Sequence, residues 1–289
     1  MQAGILCARP EAASRQFAAA LPHRRPAHAP TTDRPGYDRG VNFLLLEPGE
    51  SDADGRCRLV GRRAEHVRAV LRAEVGDVLR AAILDGPRGE ARVTAVAAEA
   101  VEVACTWRQD VEPQPEDALL LAVPRPKVLA RMLAHAAALG FGRIELFRSW
   151  RVDKSHLQSD AMQPATQRAA LLAGLEQTGR TRLPTVGFHP LFRPFVEDAL
   201  PALPLPAQRF VADPAAATPT AALALGGGAV AVAIGPDGGF LPYEVERLAA
   251  QGFLPVSCGQ RPLRTETALA VLKGQFDLLR DRQPQMRFS

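Results

Sequence analysis

Residues 230–279 read VAVAIGPDGGFLPYEVERLAAQGFLPVSCGQRPLRTETALAVLKGQFDLL, two strand, loop and helix units in succession. In the first unit, residues 229–234 are an unbroken run of Ala, Val and Ile, as expected of a strand buried on both faces. Gly235-Pro236-Asp237-Gly238-Gly239 then breaks the run. Glycines at such density allow backbone conformations closed to other residues and let a ligand approach the main chain. Helix signals resume at Pro242, with Val245, Leu248 and Ala249 at helical spacing and Gly252 as the stop. The second strand, residues 253–257, leads into Cys258-Gly259-Gln260-Arg261-Pro262-Leu263-Arg264. Thr265 is expected to cap a final helix, with Glu266 in its first turn, where the helix dipole favours a carboxylate. Leu269, Leu272, Phe276 and Leu279 share one face, so this helix is expected to pack inward.

Taken alone, IGPDGGF reads as a glycine-rich turn before it reads as a cradle. A phosphate loop is disfavoured, because no Gly-Lys-Ser/Thr ending follows and Asp237 would repel a phosphate. The pair of motifs, in this order and at this distance, resembles the RsmE family of small-subunit rRNA uridine-N3 methyltransferases, which belong to the SPOUT class. The usual family forms are close to GPEGG and LG-x-R-I-L-R-x-E-T-A; here Asp237, Cys258 and Pro262 replace Glu, Leu and Ile. The resemblance implies an α/β fold: a SPOUT-type, mainly parallel sheet with a C-terminal trefoil knot, preceded by a small PUA-like β-barrel domain. It also implies S-adenosylmethionine (SAM) as cofactor. On the matching positions it places the cofactor against Ile234, Gly235, Pro236, Asp237, Gly238 and Gly239, and against Cys258, Gly259, Leu263, Thr267 and Ala268.

With 289 residues the chain suits two domains. No apolar run is long enough to cross a bilayer. Cys7, Cys57, Cys105 and Cys258 lie far apart and the six histidines form no HExxH cluster, so reduced cytoplasmic thiols and no metal site are expected. The net charge of +4 permits nucleic-acid binding without requiring it. Lys127, Lys154 and Lys273 are the only lysines, so the clustering of arginines carries more information than their number.

Residues 1–40, interrupted by Pro10, Pro22, Pro26, Pro30 and Pro35, offer no apolar face and are expected to be a disordered extension or the product of an early start codon. Family-like sequence begins at Val41. Residues 41–109 carry short strand candidates at 44–46, 57–60, 78–84, 90–96 and 101–107, a pattern expected to form a small barrel. One helix, residues 62–72, interrupts them, with Ala64, Val67, Val70 and Leu71 facing the core. Between Arg56 and Arg72 six arginines face only Glu65. This reads as a solvated helix face or a phosphate-binding surface with equal ease. The resemblance favours the second, since the family carries H-x-x-x-V-L-R here, matched by His66 and Val70-Leu71-Arg72, and it implies RNA contacts by His66, Arg68 and Arg72.

Residues 110–117 read as an acidic, proline-containing linker. Beyond it strands alternate with helices, the mark of a mainly parallel sheet, and residues 118–289 offer roughly six strands. Lys127 follows a strand, where open α/β sheets place ligands, and helix-start chemistry explains it nearly as well; the family has a basic residue here, which implies an RNA contact by Lys127. The family's Lys and Glu in the next helix are missing, since Ala134 to Ala138 includes only His135 as a polar residue. Residues 176–184, EQTGRTRLP, read first as a helix end with a glycine stop. They also match the family's E-Q-x-G-R, which implies that Glu176, Gln177 and Arg180 lie at the active-site rim or on RNA.

The implied reaction moves a sulfonium methyl group to N3 of a uracil in 16S rRNA of the small ribosomal subunit. That nitrogen is protonated at neutral pH and attacks only as the proton leaves. Arg264 is the first candidate for stabilising the developing charge, Glu266 for orienting it or taking the proton, and Arg180 is next in line. The resemblance implies a homodimer. A SPOUT enzyme acting on another RNA such as tRNA, and a noncatalytic RNA-binding factor of the same fold, remain open readings.

Overall fold

The computed structural model describes residues 43–259 and 261–282; the first forty residues, and with them the expected disorder, lie outside the described residues. β1 (Phe43–Leu46), β2 (Arg56–Val60), β3 (Val78–Ile83), β4 (Pro87–Val96) and β5 (Ala100–Val111) form a five-stranded sheet in the order β1-β3-β4-β5-β2. β1 runs parallel to β3 and the other neighbours are antiparallel. Alternation sets the faces: in β2, Cys57 and Leu59 are buried while Arg56, Arg58 and Val60 are exposed. Two register shifts between β4 and β5 increase the twist and curl the sheet around Leu44, Leu46, Leu59, Leu79, Val93 and Val103.

β1 is buried on both faces. Leu44 and Leu46 face the core of the curled sheet, whereas Phe43 and Leu45 pack into the larger core of the second half. After β3 the chain does the same, with Ala82 and Leu84 in the larger core and Leu79 and Ala81 in the smaller.

The expected helix over 62–72 is shorter and wider. α1 (Gly61–Glu65) gives way to a π turn over His66–Val70, closed by the Leu71 N–H donating to the His66 carbonyl at 3.0 Å. The extra residue in the turn rotates position 70 outward, so Val70 is 65% exposed while Leu71 packs against the core of the curled sheet. Arg72 then reverses the chain with a φ of 51°.

The second half is built on β6 (Asp117–Ala122), β7 (Phe141–Phe147), β8 (Thr185–His189), β9 (Gln208–Ala212), β10 (Val230–Ile234) and β11 (Leu254–Val256). These six strands lie in the order β11-β9-β10-β6-β7-β8, and every neighbouring pair is parallel. β6 and β10 are buried along their whole length, which explains their unbroken apolar runs. The connections carry α2 (Pro126–Ala138), the short α3 (Lys154–Leu157), α4 (Pro164–Thr178), the single turn α5 (Phe192–Pro194), α6 (Pro242–Ala250) and α7 (Thr265–Asp281). α2 and α4 end at Gly140 and Gly179, whose φ values of 82° and 70° suit glycine. The alanine run in α2 has a packing reason. A Cβ on Gly174 of α4 would stand 2.0 Å from the Ala134 carbonyl oxygen, so the two backbones meet where only small residues fit.

The linker is shorter than residues 110–117. Asp110 and Val111 complete β5, and Asp117 opens β6 as a buried carboxylate. Arg280 of α7 grips Asp117 with two hydrogen bonds, at 2.6 and 3.0 Å, Lys273 approaches to 3.4 Å, and the Val230 N–H donates to it at 2.9 Å. Its partners are distant in sequence, which is why composition alone marks it as solvated.

Candidate active site

Three loops meet at the carboxyl ends of β9, β10 and β11 and enclose a cavity of about 530 Å³. The glycine loop after β10 is fixed from several sides. Gly235 sits where a Cβ would come within 2.9 Å of the Phe240 nitrogen, so the loop's own backbone requires glycine there. Gly238 and Gly239 take φ values of 89° and 74°, in the left-handed region. Arg125, at the end of the β6 connection, pairs with Asp237 at 3.1 Å. From the loop after β7, the Arg151 guanidinium donates to the Gly238 carbonyl and, at 3.4 Å, to that of Gly239. The buried Glu244 carboxylate accepts the Leu241 and Trp150 N–H groups, each at 2.8 Å. Phe240 anchors the far side by stacking on Phe147 at 6.1 Å between centroids.

The second loop runs from β11 into α7. Gly259, with a φ of 139°, turns it, and Arg261, Pro262 and Leu263 project at the mouth of the cavity. Thr265 does not cap α7. Arg264 holds the N-cap position in extended conformation, its carbonyl accepting the Ala268 N–H at 2.8 Å, and Thr265 is the buried first residue of the helix.

The cavity brings together Ile234, Gly235, Pro236, Asp237, Gly238, Gly239, Cys258, Gly259, Leu263 and Ala268 with Arg264. Thr267 lies on the exposed side of α7, away from the cavity lining. Glu266 also turns away, its carboxylate paired with Arg131 of α2 at 3.2 Å. Arg180 is at the opposite edge of the sheet, before β8, where its guanidinium pairs with Glu112 at 3.0 Å and covers Gly140. Helix-end spacing says nothing of that partner. Lys127 is exposed in the first turn of α2, beside Arg125. A further wall, Ala212 to Ala215, escaped motif reading; the only signal for it is its place at the carboxyl end of a strand. Burial pushes the Cys258 thiol above the usual range.

The other residues assigned to RNA meet elsewhere. His66, Glu176 and Gln177 line a cleft of about 300 Å³ between the curled sheet and α4, together with Arg62 and Arg63. Arg62 spans it to Glu176 at 3.5 Å. Arg72 is exposed on the same segment, and the Nε of Arg68 is buried with no partner among the described residues.

An all-parallel α/β sheet with a glycine-loop cavity of this size at its carboxyl edge is the architecture of an enzyme that binds a small organic cofactor. Residues 112–276 match the model of the RNA methyltransferase domain, and the chain belongs to that family. It is 31% identical over 235 residues to the ribosomal RNA small subunit methyltransferase E of Treponema pallidum (strain Nichols), across 79% of this chain and 87% of that protein. A methyltransferase from Legionella pneumophila, solved with bound SAM, superposes with a TM-score of 0.64 at 25% identity, covering 84% of this chain and 98% of that one. The ribosomal RNA small subunit methyltransferase E of Neisseria gonorrhoeae, bound to SAM, shares the fold with a TM-score of 0.63 at 21% identity, over 81% and 95% of the two chains.

Proposed function

We propose that this protein transfers the methyl group of SAM to N3 of a uridine in small-subunit rRNA. The observation that carries the reading is the cavity itself. Both loops of the C-terminal motif pair wall it, and Arg264 stands at its mouth, in a chain of the RNA methyltransferase family. The residues present fit SAM. Ile234, Val256, Leu263 and Ala268 give apolar walls, and the main chain at Gly238, Gly239 and Gly259 is bared of side chains. A Cβ at Gly239 or Gly259 would meet no protein atom within 4 Å, so that space is open to a ligand.

Bound SAM supplies an electrophilic methyl group carried on a positively charged sulfur. The chain's own residues do the rest. The glycine loop and residues 212–215 hold the cofactor, and Cys258 and Ala268 exclude water from its flank. Arg264 donates to the uracil oxygen that gains negative charge as N3 gives up its proton to solvent water. Glu266, tied to Arg131, fixes the first turn of α7 and so the position of Arg264; it acts as a positioning residue. N3 lies on the pairing edge of the base, so the target uridine is unpaired or flipped when it reacts.

In the same reading the curled sheet before residue 110 is a PUA-like RNA-binding barrel, supported by the arginines of residues 56–72 and the cleft they share with Glu176 and Gln177. The family resemblance implies that the C-terminal chain is knotted, in keeping with β11 lying outside β9 and α7 lying beside α2. An experimental structure whose chain pulls free from its ends would remove the knot. Two copies pair through this half, as the family resemblance implies, and sedimentation of a monomer at micromolar concentration would remove that pairing. Among the described residues no helix is long and apolar enough to cross a membrane, in keeping with work on ribosomal RNA in the cytoplasm.

The decisive experiment supplies labelled SAM with small ribosomal subunits, naked rRNA or tRNA, followed by digestion and mass analysis. Methyluridine substituted at N3 in small-subunit rRNA is expected. Label only in tRNA, or none at all, overturns the proposal.

A further inference from the structure

The reaction above gives the side chain of Asp213 no task, although the residue lines the cofactor cavity. Loops follow β11, β9 and β10 at one edge of the sheet, and β9 lies between the other two strands. Asp213 therefore stands on the middle wall, with the glycine loop on one side and the loop from β11 into α7 on the other.

The residue is held on three sides. Its N–H donates to the Val256 carbonyl at 3.0 Å, its own carbonyl accepts the Ala216 N–H at 3.0 Å, and Oδ1 accepts the Ala215 N–H at 2.9 Å. These bonds fix the backbone and the side chain before any ligand arrives. Oδ2 has no hydrogen-bond partner among the described residues, and on this half-buried residue it keeps accessible surface. The other carboxylate on the cavity, Asp237, is taken by Arg125, whereas Asp213 forms no ion pair among the described residues. It is an acceptor without a donor.

SAM offers donors of two kinds, the hydroxyls of its ribose and its α-ammonium group. Position separates them. The ribose is the central part of the molecule, with adenine and the methionine chain at its two ends, and Asp213 is on the central wall. The ammonium neighbours the cofactor's own carboxylate, which a second carboxylate would repel, while the exposed Arg261 at the cavity mouth suits that charged end. A carboxylate only accepts hydrogen bonds and a cis diol presents two donors, a match that other nucleotide-binding α/β sheets also make.

We propose that Asp213 binds the ribose hydroxyls of SAM and is a specificity-determining residue for the cofactor. The inference rests on the reading that this cavity holds SAM, and it names the group that the middle wall reads. Because the sulfonium is attached to C5′ of the same sugar, an anchor on the hydroxyls also sets the direction in which the methyl group points.

The test is calorimetry on the full chain with S-adenosylhomocysteine, the demethylated cofactor, and with its 2′,3′-dideoxy analogue. Wild type is expected to bind the dideoxy analogue about tenfold or more weakly, as hydrogen bonds to a charged acceptor are lost. Asp213→Asn keeps an Oδ1 for the Ala215 turn and removes the charge. It is expected to bind S-adenosylhomocysteine about tenfold more weakly than wild type and to discriminate against the dideoxy analogue less than about threefold, since both changes remove one interaction. Equal affinity of wild type for the two compounds overturns the proposal, a result that needs no variant to fold. So does an unchanged affinity in Asp213→Asn, or a full dideoxy penalty retained by it. If the variant instead loses discrimination against the desamino analogue, the carboxylate belongs to the ammonium group and the proposal falls. In each of these cases wild-type binding of S-adenosylhomocysteine leaves the cofactor cavity standing, whereas a wild type that binds neither this compound nor SAM takes that reading down as well.

Discussion

Arg125 and Asp237 belong to loops far apart in sequence, yet Nε and Oδ2 lie 3.1 Å apart above the neighbouring parallel strands β6 and β10. The resemblance has Glu where this chain has Asp237, and the shorter acid still reaches a cation. The pair clamps the middle of the glycine loop against the connection that leads to α2. Both side chains are well exposed, so the clamp contributes at most about 1 kcal/mol. Arg125→Ala is therefore expected to weaken SAM binding up to about fivefold at low salt and less at high salt. Asp237→Asn should do the same, and the double variant no more. Additive losses in a calorimetric cycle would show that the two residues act separately.

Arg264→Ala tests the chemical step. Arg264 is exposed at the cavity mouth, so its loss leaves the cofactor walls intact. SAM affinity is expected to change less than twofold, while single-turnover methylation falls on the order of a hundredfold or more. An unchanged rate would move charge stabilisation to another residue. Gly238→Val is the weaker probe of the cradle, because a φ of 89° strains any side chain there whether or not a ligand binds.

Cys258 reports on the cavity without a change to its walls. Burial raises its thiol, and burial pushes Cys105 up to about 11, so both ionise above an ordinary cysteine. Their thiolate fractions at pH 8 are correspondingly small and grow as pH rises. In a Cys7→Ser background, alkylation of Cys258 is expected to be slow at pH 8, faster at pH 9, and slowed again by saturating SAM. Mass mapping of the modified peptide reads the result, and equal rates with and without SAM would place the cofactor elsewhere.

Glu112 joins the two halves. Its carboxylate accepts from Arg88 at 2.9 Å, from Arg180 at 3.0 Å and from the Thr181 N–H at 2.9 Å. Removing charged hydrogen bonds of this kind costs about 2 kcal/mol, or roughly 4–8 °C in Tm for a chain of this size. Glu112→Gln and Arg180→Ala are each expected to lower Tm within that range, with the methylation rate at a permissive temperature near the wild-type value. A stable Arg180→Ala protein with a collapsed rate would return Arg180 to the chemistry.

Replacing Arg68 and Arg72 with Ala probes the curled-sheet half. If each neutralises a phosphate of single-stranded RNA, the slope of log Kd against log salt falls by about 1.4 and SAM affinity is unaffected. Equal slopes for the two proteins would take this segment off the RNA surface.

Local pattern by itself determined the strands and the parallel half, while the place of the cavity followed from the resemblance that the two C-terminal motifs carry. Continuous apolar runs at β6 and β10 have one economical solution, burial on both faces of a sheet, and the loops that follow such strands open at one edge. The glycines of the two loops were legible for the same reason, since few other residues take their backbone angles. Tertiary structure alone decided where charges go. Asp117, Glu112, Arg180 and Glu266 each look solvated or catalytic in sequence, and each is claimed by a partner far along the chain. Trp150 is the converse, an aromatic residue that the fold leaves in the open. Periodicity records which residues prefer to leave water; it holds no information on which distant side chain will be 3 Å away once they have, and function in this protein depends on those distances.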